Sequence, residues 1–175
     1  MTMPPRLRKL ALTAHITASV GWLGADIGFL ALAVAGLTSQ DALMVHAAYL
    51  ARGLTAWFVI VPLSLAALLT GLVQSLGTKW GLFRHYWILV KFLIAIFAAT
   101  VLLIHTQPIS LLAGAAAETR LSSADLRESR IQLVVAAGAG LLVLLVNTTL
   151  AVYKPRGLTP YGWRKQQEQR AGSQQ

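Results

Sequence analysis

Four long apolar runs, at about Leu10–Leu37, Leu43–Leu76, Tyr86–Gln107 and Ile131–Tyr153, constrain this chain more than any other feature. Each meets or exceeds the roughly 20 residues that a helix needs to cross a bilayer. Inside hydrocarbon every backbone N–H and C=O must be satisfied within the segment, so such runs are helices. The expected fold is all-α: a polytopic membrane protein built as a four-transmembrane-helix up-down bundle. Composition agrees, with 56% hydrophobic and only 12% charged residues and a mean hydropathy of +0.63. Globular chains carry roughly 25% charged residues.

The net charge of +9 suggests nucleic acid at first sight. The basic residues, however, lie in the tails and short loops between the apolar runs, which is a topology signal and not a binding patch. Arg6, Arg8, Lys9, Lys79, Arg84, Lys154, Arg156, Arg164, Lys165 and Arg170 fall on one side. Only Arg120, Arg127 and Arg130 fall on the other, offset by Asp41, Glu118, Asp125 and Glu128. The positive-inside rule then places both termini in the cytoplasm, and no nucleic-acid partner is expected. The first run follows basic residues and contains Ala33-Val34-Ala35, like a cleavable signal. It far exceeds the roughly 7–15 apolar residues of a signal peptide, so it is expected to stay as a span.

Residues 1–155 read as one transmembrane domain and 156–175 as a basic, mostly disordered cytoplasmic tail. The "TSQDA" connection is short enough to make the first two helices antiparallel neighbours. Pro62 should kink the second helix near mid-membrane. Pro108 should open the second external segment, and "SSAD" at 122–125 should cap a fourth helix that starts outside the membrane.

Ionisable side chains in a span need a partner or a task. His15, Ser19, Trp22 and Asp26 follow a +4, +3, +4 spacing and share one helix face. Counting outward from the first loop puts Asp26 and Arg52 at equal depth, so an ion pair between them is expected. Such a pair is either a clip that fixes helix register or an anchor for an anionic group such as a haem propionate. His15, Lys91 and Asn147 (beside Thr148 and Thr149) reach one inner level from three helices. On the outer side His46 faces His105, and Lys91 and His105 are 14 residues apart, close to four turns and so on one face. His85, between Arg84 and Tyr86, reads as interfacial.

Two imidazoles from facing helices hold b-type haem in a bundle core without any covalent motif. Copper is the competing cofactor, since Met44 and His46 with His105 offer thioether and imidazole. Against it, the chain lacks methionine-rich character. With no cysteine, disulfides, thiolate metal sites and covalent haem attachment are excluded. No G-x-S-x-G, H-E-x-x-H, Walker loop or G-x-G-x-x-G is present. Gly21, Gly24 and Gly28 would let a helix or a flat macrocycle approach the first span.

The stretches "HITASVGWLG" and "WILVKFLIAIFAATVLLIH", with His15, Trp22, Gly24, Trp87, Lys91 and His105, resemble a loose group of small bacterial inner-membrane proteins. The group includes the HemJ-type protoporphyrinogen oxidases, the membrane domain of CopD-type copper-resistance proteins and an uncharacterised family of four-helix integral membrane proteins. The last is most similar in length and helix number. The resemblance to the HemJ type implies bound haem b and a functional histidine–lysine pair, which would fall on His15 and Lys91. It covers about the first 110 residues and does not extend to the Asp26–Arg52 pair or to His105.

The expected function is therefore b-type haem binding in the bacterial inner membrane with a redox role. His15 and Lys91 are assigned to chemistry. His46, His105 and His15 are the candidate iron or metal ligands, and Arg52, Asp26, Trp22 and Asn147 complete the cofactor site. Expected partners are the lipid bilayer, a quinone or another membrane redox protein, and further copies of the chain in a homo-oligomer. Copper handling, or a structural accessory role in which polar residues only lock helices, are the alternatives. The sequence leaves open whether the chain is an enzyme.

Overall fold

Helix α1 spans Pro5–Thr38, and its buried residues Ala18, Trp22, Asp26, Phe29, Ala33 and Gly36 recur at an average close to 3.6. That spacing gives one straight inward stripe down a regular helix. The computed structural model describes residues 3–77, 82–118, 123–155 and 157–172, with the side chains of 105–118, 123–130, 169 and 172 outside the described set. Three further long helices follow: α2 at Ala42–Gly77, α3 at Tyr86–Glu118 and α4 at Ser123–Tyr153. A short α5 covers Pro160–Gly172. The described residues contain no strand. Four of the helices are long and apolar enough to cross a membrane, and their outward faces carry exposed Leu, Ile, Val and Phe.

Neighbours in sequence are neighbours in space. α1 packs on α2, α2 on α3, α3 on α4, and α4 closes the ring against α1. This is the expected up-down bundle.

Three of its details add to the sequence reading. Before Pro62 lies a π-helical turn over Ala56–Ile60, where the Val61 N–H reaches back to the Ala56 carbonyl. Proline cannot donate to the preceding turn and its ring crowds the carbonyl four residues back, and a wider turn relieves both. The turn also solves a phasing problem. The buried positions Arg52, Ala56, Ile60 and Ser64 are four residues apart. In a regular α-helix each such step would drift by about 40°, and the wide turn holds all four on the core side.

Helical backbone also continues from Gln107 through Pro108 to Glu118, so Pro108 opens no loop. Helix α4 does start at Ser123, well before its apolar part at Ile131.

The third detail is the tail, which is helical over Pro160–Gly172. Pro160 occupies the first helical position, and the Thr159 hydroxyl accepts from the Gly162 N–H at 3.1 Å. The segment is stitched to the loop before α3: Tyr86 N–H donates to Gly157 O at 3.3 Å and Thr159 N–H to Arg84 O at 3.2 Å. His85 pairs with Leu158 in that short bridge.

Candidate functional site

His15 is half-buried against α2, its ring lying on Gly71, where an added Cβ would stand 3.1 Å from His15 Cε1. Its Nδ1 is 3.1 Å from the Ala67 carbonyl and 3.2 Å from Thr70 Oγ1. A carbonyl only accepts, and the Thr70 hydroxyl already donates its hydrogen to the Ala66 carbonyl. Both contacts therefore require the hydrogen on Nδ1, and the lone pair sits on Nε2. Metal-bound histidines are held this way, with the second ring nitrogen donating to a backbone carbonyl.

Lys91 of α3 lies within electrostatic reach of His15, and Lys154 lies within reach of Lys91. Asn147 Oδ1 and Gln74 Nε2 are buried with no hydrogen-bond partner. Gly140 of α4 lies beside Asp26, its added Cβ falling 3.5 Å from Asp26 Oδ2. Seven residues on from that crossing, Asn147 lies about 10 Å toward the end of the bundle that holds His15. By this count Asn147 belongs to the same terminal end as His15 and Lys91. That end adds Thr70 and Gln74, which the sequence reading missed. Their i, i+4 spacing within an otherwise apolar run was the available signal.

Asp26 and Arg52 do not meet. Asp26 Oδ2 and Arg52 Nε and Nη2 are all buried without partners, in residues only 8% and 1% exposed. The Arg52 guanidinium instead lies over two rings, 4.8 Å from the Phe29 centroid and 5.4 Å from that of Tyr49. The cause is register. Gly36 packs on Ala48 and Tyr49, Gly21 on Leu63 and His15 on Gly71. Those crossings put Asp26 opposite residues 58–60, so Arg52 sits about six residues, or about 9 Å, nearer the 39–41 loop.

Asp26 and Trp22 instead line a cavity of about 270 Å³ between all four long helices. Its other walls include Phe29, Ile60, Phe97 and Leu144. Among the described residues no histidine lines it. On the loop side His46 is half-buried near the start of α2, and the side chain of His105 lies outside the described residues. Among the described residues no three His, Cys, Asp or Glu side chains converge as a metal cluster. Comparison with protein-family models, with curated proteins and with solved structures finds no match.

Proposed function

We propose that this chain is a b-type haem-binding membrane protein with a redox role, and that His15 would hold the haem iron. The observation that carries the reading is the His15 imidazole, anchored through Nδ1–H to Ala67 and Thr70, which leaves Nε2 as the lone-pair nitrogen. Haem supplies one-electron iron chemistry when bound. The chain's own residues supply the rest. Ala67 and Thr70 fix the tautomer and ring direction. Lys91 and Lys154 bring positive charge to the same end, suited to the propionates of a haem. Asn147 Oδ1 and Gln74 Nε2, both buried and unpartnered, add an acceptor and a donor there. The count of ten basic residues against three supports both termini, and hence this end of the bundle, facing the cytoplasm of a bacterial inner membrane. A quinone or another membrane redox protein is the electron partner that this placement suits.

The absorption spectrum of the protein purified from haem-replete cells tests the proposal. A Soret band with sharp reduced α and β bands is expected, and His15→Ala should abolish it or change the spin state. His85→Ala should leave it intact. If His46→Ala and His105→Ala each remove haem while His15→Ala does not, the site lies at the loop end. Wild-type protein free of haem would end the reading, and copper found in its place would favour a copper-handling role.

A further inference from the structure

The cavity beside Asp26 contributes nothing to the His15 site, and its chemistry is of a different kind. Trp22, Phe29 and Phe97 supply aromatic walls, and Ala98, Ala137 and Gly140 leave the space open. Among the described residues one charged group lines it, Asp26. Asp26 is 8% exposed, and its Oδ2 has no partner. Arg52 does not line the cavity, its guanidinium being stacked over Phe29 and Tyr49. A carboxylate in the middle of a membrane bundle is costly and marks a functional site by default.

The lining decides what could answer that carboxylate. An anion is repelled by it. A bare metal ion needs several oxygen or nitrogen ligands, and among the described residues no cluster of three such groups exists. A neutral hydrocarbon would fill the space and leave the carboxylate stranded. An organic ammonium satisfies every wall at once, because its charge meets Asp26 while aromatic faces attract cations and bury carbon.

Size narrows the class. An apolar cavity of about 150 Å³ accepts benzene, so 270 Å³ takes one ring with a short amine chain. Access is lateral, since the cavity wall includes Phe97, which is 64% exposed on the lipid-facing surface of α3. A ligand that partitions into the bilayer can enter from there.

We propose that this cavity binds a small hydrophobic amine as its ammonium ion, with Asp26 as the counter-ion and Trp22, Phe29 and Phe97 around its carbon frame. The site is independent of haem binding at His15.

Calorimetric titration of the full chain in lipid nanodiscs tests it, with empty nanodiscs as the blank. The probes are 2-phenylethylammonium, its neutral analogue 2-phenylethanol and the anion phenylacetate. The ammonium should bind at least about thirtyfold more tightly than either analogue, as expected for a desolvated charge pair. Asp26→Asn keeps the shape and removes the charge, and should erase that preference. Gly140→Leu fills the space beside Oδ2 and should abolish binding of the ammonium while Asp26 remains. Equal affinity for alcohol and ammonium, an ammonium response that survives Asp26→Asn, or no response in the wild type would each overturn the assignment.

Discussion

Arg52 contributes through rings and not through a carboxylate, and that distinction can be measured. A cation held over an aromatic face in a desolvated site is stabilised by about 2 kcal/mol. The double-mutant cycle of Arg52→Met with Phe29→Leu is therefore expected to give a coupling of about 1–2 kcal/mol in unfolding experiments. The cycle of Asp26→Asn with Arg52→Gln should be additive within about 0.5 kcal/mol, because the two groups share no contact. A large coupling in the second cycle would mean that the pair closes in the bilayer. Sequence counting expected that pair because it took the 39–41 loop as a symmetric turn. Depth within one span can be read from sequence, but register between two spans depends on small-residue contacts such as Gly36 on Ala48 and Gly71 under His15. Those contacts leave no periodic trace. The polar group on α1 at the His15 level was legible for the opposite reason, since a lone imidazole in an apolar run is conspicuous.

At the scale of elements, the four spans were legible because lipid fixes both their length and their composition. The π turn was less so, although the four-residue spacing from Arg52 to Ser64 holds the signal. The helix over Pro160–Gly172 was not legible as one because the segment is mostly polar after Trp163 and lacks an apolar stripe. Its signature was "LTPYG", a threonine cap followed by proline at the first helical position. What holds this helix in place is a tight approach. A Cβ on Gly162 would overlap the Arg84 carbonyl oxygen, so only glycine fits there without movement. Gly162→Ala is expected to loosen α5 from the loop before α3 and to speed tryptic cleavage after Arg164 and Lys165. Thr159→Val, which removes the hydroxyl that accepts from Gly162 and donates to Phe83 O, should act in the same direction. Unchanged cleavage in both variants would show that α5 is held by other contacts.

At the scale of the whole molecule, the bundle has two unlike ends, and the proposed chemistry depends on which one faces the cytoplasm. The start of α1, the end of α4, residues 82–85 before α3 and the His15 site share one end, while the 39–41 loop and the start of α4 share the other. Up-down connectivity alone permits either orientation. The proposed orientation follows the asymmetry of Lys and Arg, because basic segments are retained on the cytoplasmic side during insertion. The chain has no cysteine, so a single introduced thiol reports on its own position without background. Ser123→Cys, at the start of α4, should react with a membrane-impermeant maleimide in intact cells. Ser173→Cys, near the C-terminus, should react only after the membrane is permeabilised. The reverse pattern would place His15, Lys91 and Lys154 on the far side of the membrane and move the proposed haem site away from cytoplasmic electron donors. Labelling of both positions in intact cells would contradict the single membrane crossing, Ile131–Tyr153, that lies between them.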